Sequence, residues 1–224
     1  NAVLDYAAGG KARQIYPSLE LTREAYPAPM LHANMNLLST HDQARALHHF
    51  GIHGNPHTDA AEDPAKLAEA KQRLKLALLF QVGFPGAPTV YYGDEVGVGG
   101  GDDPYNRAPY PWADEGGQPD LALRAAFQHL LALRHQHKVL RRGTLEAPLL
   151  LTDEVIVLRR TLGTKQALVA LNNAREPRTV SLRVSAGMAW RDLLDPTLKP
   201  RSAADGSLTL TLPPLFGRLL LKTP

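Results

Sequence analysis

The strongest constraint on the fold is an amphipathic segment that lies between two short strand-like segments. From Pro64 to Gln81, leucine and alanine recur at three- and four-residue steps with charged residues between them, which is typical of a helix. The runs 35–39 and 89–92 are short and apolar, and the second is β-branched and aromatic. Strand, helix and strand in this order predict a parallel sheet with helices outside it, either an open doubly wound sheet or part of a (β/α) barrel.

The flanking segments of the first half read as helices and loops. Residues 2–8 predict the end of a helix that stops at Gly9 and Gly10, and a polar stretch then leads to a proline break at 27–29. Residues 43–50 predict a short helical turn, and 51–63 a polar loop. Residues 121–135 predict a second amphipathic helix.

The second half changes to short alternating strands, which predicts an antiparallel β domain. We expect a boundary near residues 143–147, so that residues 1–143 form the α/β part and 144–224 a small antiparallel β-sandwich. The predicted strands are 155–160, 166–172, 179–184, 189–192, 207–212 and 216–222.

Composition excludes several classes of function. The chain has 224 residues and a net charge of +3, with basic and acidic residues interspersed. Because the charges are interspersed, the sequence contains no stripe of basic residues. We therefore expect neither nucleic acid nor a membrane surface as a partner. The absence of cysteine excludes disulfides, thiolate metal sites and thiol nucleophiles.

Polar residues after the two predicted strands are the best candidates for a site. His41 and Asp42 follow the first strand directly, and the loop from Asp94 to Trp112 follows the second. In a barrel both segments would lie on the active face, since catalytic residues follow the carboxyl ends of the strands. A His-Asp pair also occurs in ordinary surface turns and helix caps, and that reading stays open at this point.

Two segments carry a resemblance to a known family. The first runs from Met35 to Arg45 and contains Ser39-Thr40-His41-Asp42. The second is a series in fixed order, formed by 85–88 (Pro-Gly-Ala-Pro), 91–95 (Tyr-Tyr-Gly-Asp-Glu), 103–107 (Asp-Pro-Tyr-Asn-Arg) and 111–112 (Pro-Trp). Together they resemble the α-amylase superfamily of glycoside hydrolases, in particular its neopullulanase, cyclomaltodextrinase and maltogenic amylase branch.

The resemblance implies a fold and a set of site residues. The chain would be the C-terminal part of such an enzyme, with the seventh and eighth strands of a (β/α)8 TIM barrel followed by the antiparallel β domain. Asp42 would be the catalytic carboxylate that stabilises the oxocarbenium-like transition state, and His41 would bind the same sugar. Asp103 and Arg107 would bind neighbouring sugars. No cofactor and no metal are implied.

The same resemblance implies that the chain is incomplete as an enzyme. A retaining glycosidase also needs a nucleophilic Asp and an acid/base Glu, and neither of the family's motifs for them occurs in this sequence. We therefore expect this chain alone to be inactive. The expected partners are an α-glucan oligosaccharide, the N-terminal portion of the enzyme as a second chain, and in one alternative a second copy in a homodimer. The expected location is cytoplasmic.

Two other hypotheses remain open on the sequence. In the first, the chain is a carbohydrate-binding or structural piece without catalytic activity of its own. In the second, it is a metal hydrolase built on His41, Asp42 and the histidines of the following loop. His48, His49, His53 and His57 are irregularly spaced and lack the Glu partner of a His-Glu-X-X-His motif. That spacing favours a solvated loop.

Overall fold

A computed structural model describes residues 2–59 and 63–223, so residues 60–62 of the predicted loop 51–63 lie outside the described part. The helices are α1 Ala2–Ala7, α2 Ala12–Ala25, α3 Ala28–Ala33, α4 Ala46–His49, α5 Pro64–Gly83, α6 Leu121–Gln136 and α7 Lys138–Arg142. The strands are β1 Met35–Leu37, β2 Ala87–Thr89, β3 Thr144–Leu145, β4 Leu150–Leu151, β5 Val155–Leu162, β6 Lys165–Asn172, β7 Arg178–Arg183, β8 Trp190–Asp192, β9 Ser207–Leu212 and β10 Phe216–Lys222.

The architecture is mixed α/β with antiparallel sheets. β1 and β2 form a parallel pair, with α5 between them in the chain. A six-stranded antiparallel sheet has the order β3-β5-β6-β10-β8 with β4 on β5, and β7 pairs with β9 in a separate ribbon. Among the described residues no helix has the length and apolar character needed to span a bilayer.

The second parallel strand lies earlier in the chain than predicted. The sequence predicts a strand over residues 89–92, whereas β2 covers Ala87–Thr89. Beyond Thr89 the backbone leaves the sheet, because the Tyr92 carbonyl accepts a hydrogen bond from Arg45 Nη1 at 2.6 Å. The same guanidinium lies 4.5 Å from the ring centroid of Tyr91 and 4.8 Å from that of Tyr92.

Residues 12–25 and 28–33 are helical where the sequence predicts a polar stretch and a break. α2 contains Pro17 in its interior and buries Ala12 and Tyr16, with Ile15 and Leu19 also packed against the core. These four positions follow the three- and four-residue spacing of a helix face. The prolines at 27–29 begin α3 instead of ending structure, since a helix tolerates proline in its first turn.

One hydrophobic core joins the helices to the six-stranded sheet. Ile156 and Leu158 of β5 pack in the same cluster as residues of α1, α5 and α6, whereas Val155 and Val157 face the β7–β9 ribbon. Alternate residues of a strand point to opposite faces, so the middle of this sheet is buried on both sides. At Gly83 the approach is so close that an added Cβ would lie 2.7 Å from Val169 Cγ1.

Two buried arginines bind the carboxyl end of α5. Arg134 of α6 donates from Nη1 to the carbonyls of Val82 (2.5 Å) and Phe84 (3.0 Å) and from Nη2 to that of Gly86. Arg160 of β5 donates to the Gly83 carbonyl at 2.7 Å. Burial lowers the pKa of Arg134 to about 10 and that of Arg160 to about 9. Both cations thus face the negative end of the helix dipole.

Candidate functional site

The loops that follow β1 and β2 meet at one end of the parallel pair. Met35 is paired with Ala87 and Leu37 with Thr89, so the carboxyl ends of the two strands lie side by side. Residues 38–45 lead from β1 to α4, and residues 90–120 lead from β2 to α6. The structure therefore brings together the two segments that the sequence singles out.

The four predicted site residues lie together on this exposed end. His41 Nε2 is 3.3 Å from Asp42 Oδ2, and Arg107 Nη2 is 4.0 Å from Asp42 Oδ1. Arg107 Nε donates to Asp103 Oδ1 at 2.6 Å. The Asp42 side chain is 74% exposed, and the other three are also solvent-accessible. Two carboxylates, an imidazole and a guanidinium thus form one open polar cluster that can donate hydrogen bonds to a polyol and accept them from it.

Arg45 ties the two loops together beneath that cluster. Its side chain is fully buried, and it donates from Nε to the Asn106 carbonyl (2.9 Å) and from Nη1 to the Tyr92 carbonyl (2.6 Å). The same Nη1 lies 3.3 Å from Asp94 Oδ1. One side chain of the first loop therefore fixes three points of the second.

Asn106 makes the reciprocal connection. Its buried Nδ2 donates to the carbonyls of His41 (2.9 Å) and Gln43 (3.1 Å), which flank Asp42 in the chain. The Asp42 backbone N–H also donates to Thr40 Oγ1 at 3.1 Å. The position of Asp42 is thus set by a buried amide, although its own side chain is free to meet a ligand.

Asp94 is a buried carboxyl and has no access to the exposed cluster. Burial raises its pKa to about 6, against the opposing effects of hydrogen bonding from Ser39 and the charge of Arg45. Ser39 Oγ also accepts a hydrogen bond from the Ala46 N–H at 2.9 Å, at the start of α4. Asp94 therefore belongs to the scaffold of the site.

Gly100 allows the second loop to fold back on itself. It has a φ of +149°, and a Cβ at this position would lie 2.1 Å from the Tyr105 carbonyl oxygen. Its own carbonyl accepts a hydrogen bond from the Arg45 N–H at 3.0 Å. Only glycine permits this approach, which carries the chain towards Asp103 and Arg107.

Aromatic residues surround the exposed cluster. Tyr92, Tyr105 and Trp112 are exposed, and the Tyr110 and Trp112 rings lie 4.4 Å apart between centroids. Tyr92 Oη donates to the Ala108 carbonyl at 3.0 Å, which holds its ring at the surface. Exposed aromatic rings offer apolar faces beside the polar cluster.

The loop histidines do not assemble into a metal site among the described residues. No group of three or more potential ligands occurs within ranges 2–59 and 63–223. His48 and His53 contact each other edge to face, with ring centroids 4.8 Å apart, and His57 Nε2 lies 2.9 Å from the Val96 carbonyl. The described residues thus give the metal-hydrolase hypothesis no ligand set.

Sequence reasoning missed the two residues that organise the site. Arg45 and Asn106 belong to the motifs quoted above, but nothing in their spacing indicates a buried link between the loops. The acidic residues of the same motifs give a signal, because an arginine that is buried needs a carboxylate or several carbonyls as acceptors. Asp94 and the loop backbone supply both.

Comparison with known proteins gives matches over nearly the whole chain. Amylopullulanase of Thermoanaerobacterium saccharolyticum is 34% identical over 215 residues, which is 88% of this chain and 16% of that protein. Neopullulanase 2 of Thermoactinomyces vulgaris is 34% identical over 226 residues, 98% of this chain and 35% of that protein. Cyclomaltodextrinase of Geobacillus thermopakistaniensis is 33% identical over 85% of this chain and 29% of its own length. No protein-family model matches.

Solved structures show the same relation. A cyclomaltodextrinase structure superimposes with a TM-score of 0.78 at 28% identity, over 100% of this chain and 35% of that one. The α-amylase of Geobacillus thermoleovorans gives a TM-score of 0.81 at 23% identity, over 100% of this chain and 46% of the other, which shows a shared fold. The chain spans about a third or less of the curated relatives it matches. These matches confirm the resemblance to the α-amylase family, and to its neopullulanase and cyclomaltodextrinase members, across nearly the entire chain.

Proposed function

We propose that this chain supplies part of the active site of a retaining α-glucan hydrolase. Asp42 is the carboxylate that stabilises the transition state, and His41, Asp103 and Arg107 bind sugar hydroxyls. The observation that carries the proposal is the convergence of these four side chains on one exposed face, over a buried Arg45–Asn106 support. The α-1,4-glucosidic bonds of maltodextrins, cyclodextrins or pullulan are the proposed substrates.

The chemistry of the cluster suits this role. In glycoside hydrolysis positive charge develops on the sugar ring, and hydrogen bonds to the ring hydroxyls tighten as the ring flattens. An exposed carboxylate such as Asp42 accepts those bonds and is attracted by the charge. Arg107 lies between Asp42 and Asp103, so it orients both carboxylates and also offers N–H donors to a substrate.

The nucleophile and the acid/base residue come from outside this sequence in the proposal. We assign β1 and β2 to the seventh and eighth strands of a (β/α)8 barrel, with the first six supplied by an N-terminal portion. Within the described residues β1 and β2 pair only with each other, and unpaired edges invite a further strand. Met35 is 65% exposed on β1, and Met30 is exposed just before it, which fits a surface that is covered in the whole enzyme.

The test is a hydrolysis assay of the chain with and without its upstream portion, on cyclodextrin, pullulan and maltotriose. We expect no turnover by the chain alone. In the reassembled enzyme Asp42→Asn lowers kcat by about 10²–10³-fold, the loss typical when a transition-state contact is removed. Because the side chain is 74% exposed, this variant keeps its thermal stability.

Asp102→Asn is the matched control, since it makes the same chemical change on an exposed residue of the same region. It keeps kcat within twofold. Turnover by the isolated chain, or full activity of Asp42→Asn, contradicts the proposal. Binding of maltotriose without turnover in the reassembled protein supports the alternative of a carbohydrate-binding fragment, and association of two copies supports a homodimer. A cytoplasmic location remains part of the proposal.

A further inference from the structure

A cavity lies away from the candidate site, between the end of α6, the β5–β6 turn and the strands β8 and β10. Its volume is about 680 Å³, which is within the range of small-molecule sites. The lining includes His137 beside α7, Met188 before β8 and Leu221 of β10. None of the residues of the polar cluster at Asp42 contributes to it.

Five basic side chains line this cavity, and no carboxylate does. They are Lys138, Lys165, Arg191, Arg201 and Lys222. Within the described part of the chain, none of the five forms an ion pair, although most other arginines have an acidic partner. Removing these five from the chain's 25 basic residues leaves 20 against 22 acidic residues. The remaining residues thus carry a formal net charge of −2, opposite in sign to that of the five.

The surroundings of the cavity show the effect of this charge. Burial together with the charges of Arg191 and Lys165 lowers the pKa of His137. Arg201 Nη1 donates to the Gly187 carbonyl at 2.8 Å, which holds its guanidinium at the rim. An uncompensated cluster of cations costs free energy through mutual repulsion, and a bound anion removes that cost.

We propose that this cavity binds a small molecule that carries phosphate. Two guanidinium groups provide planar pairs of donors that match phosphate oxygens, and three ammonium groups add charge without a fixed geometry. A multivalent phosphate anion is attracted by several of these cations at once.

The site is independent of the proposed hydrolase function, because it involves other residues and other elements. Its five cations come from positions 138, 165, 191, 201 and 222, which no sequence motif connects. Arg191 and Lys165 share one face of the sheet, because Arg191 is opposite Leu221 and Lys165 lies two residues before Ala167, which is also opposite Leu221. Lys222 is opposite Trp190 and therefore belongs to the other face. Lys165 begins β6, which lies on the other side of β10.

The test is isothermal titration calorimetry of the full chain with inorganic pyrophosphate at low ionic strength. We expect saturable binding with one site per chain, and we expect the double variant Lys165→Gln/Arg191→Gln to weaken it at least tenfold. Glucose 1-phosphate and AMP, titrated in parallel, distinguish a sugar phosphate from a nucleotide as the source of the phosphate. Tighter binding of either one than of pyrophosphate identifies that source, and equal or weaker binding of both assigns the site to an inorganic phosphate.

Lys66→Gln/Arg124→Gln is the matched control, since it removes the same charge from two exposed residues elsewhere. It keeps pyrophosphate affinity within twofold, and both double variants keep the thermal midpoint of the parent. Equal weakening by the two double variants overturns the proposal, because binding then reflects net charge alone. Absence of saturable binding, or equal binding of succinate, also overturns it.

Discussion

At the scale of single residues, the pair Arg45–Asp94 decides the geometry of the candidate site. Both side chains are at most 4% exposed, the lowest exposure of any ion pair among residues 2–59 and 63–223. The arginine donates to two carbonyls as well as to the carboxylate through Nε and Nη1, and its buried Nη2 has no partner among the described residues. A buried charge without its partner is costly, so each member depends on the other.

We expect Arg45→Met to lower the free energy of unfolding by about 3–5 kcal/mol, because it removes the buried cation that faces the Asp94 carboxylate and the donor to two loop carbonyls. Urea denaturation followed by circular dichroism measures the change. Arg107→Met, which removes an exposed arginine of the same site, costs at most about 1 kcal/mol. Equal costs for the two variants contradict the role assigned to Arg45.

The raised pKa of Asp94 makes a separate prediction about pH. A carboxyl whose pKa rises on folding from 3.8 to about 6 binds its proton more tightly in the native state. Its contribution to stability is therefore greatest at low pH and declines as the pH rises from about 4 to about 6, by up to about 3 kcal/mol.

The measurement compares urea denaturation of the parent with that of Asp94→Asn at pH 4.5 and pH 7.5. We expect the stability of the parent relative to the variant to be higher at pH 4.5. A relative stability that is constant shows that Asp94 keeps an ordinary pKa, and one that rises with pH shows that its pKa is lowered on folding; either result contradicts the prediction.

At the scale of secondary-structure elements, the carboxyl end of α5 is where the helical layer is joined to the sheet. Arg134 reaches it from α6 and Arg160 from β5, and between them they bind four carbonyls of residues 82–86. Helix ends leave carbonyls without internal partners, and these are buried. The two arginines supply donors that water would otherwise provide.

We expect Arg134→Met to lower the free energy of unfolding by about 3 kcal/mol, because three buried carbonyls lose their donor at roughly 1 kcal/mol or more each. Arg124→Met is the control, since Arg124 is an exposed residue of the same helix and its loss costs about 0.5 kcal/mol or less. Thermal denaturation at equal protein concentration compares the two. If Arg134→Met is as stable as the control, the carbonyls have other donors.

The sequence predicts best those elements in which apolar residues recur at a regular spacing. β5, β6, β9 and β10 fall within a few residues of the predicted strands, because their alternation reflects burial on two different faces. The sequence analysis does not predict α2, because Pro17 lies in the interior of the helix and only a few apolar residues form its buried face. β2 is displaced because the rings of Tyr91 and Tyr92 pack on Arg45, a contact between loops that no local pattern records.

For the site, the sequence indicates which side chains lie at the strand ends but not what holds them. His41 and Asp42 follow an apolar run, and Asp103 and Arg107 lie in a motif of fixed order, so all four can be named without coordinates. Their support by Arg45 and Asn106 depends on distances between residues about 60 positions apart. Such long-range pairing is set by the tertiary fold.

At the scale of the whole molecule, one core crosses the boundary predicted near residues 143–147. Leu79 and Phe80 of α5 belong to the same buried cluster as Val169 of β6 and Leu219 of β10. Gly83 packs against Val169 with no room for a Cβ. Because a core shared in this way is buried only when both parts are present, we expect the two parts to be stable together rather than separately.

Hydrogen exchange measured by mass spectrometry in low urea tests this expectation. Peptides from α5 and from β6 exchange with the same free energy of opening, since neither opens without exposing the other. A protein that ends at residue 143 shows no cooperative thermal transition. Protection of α5 in that shortened protein, or exchange of β6 long before α5, shows instead that the parts fold independently.

The Gly83–Val169 contact also bears on how this chain can be recombined with the corresponding part of its relatives. A chimaera can join residues 1–143 of one relative to the second half of another. Its α5 and β6 then come from different proteins, and any side chain at position 83 would clash with the valine at position 169. Crossover points before α1 avoid that conflict. The segment is therefore best exchanged between relatives as one indivisible block.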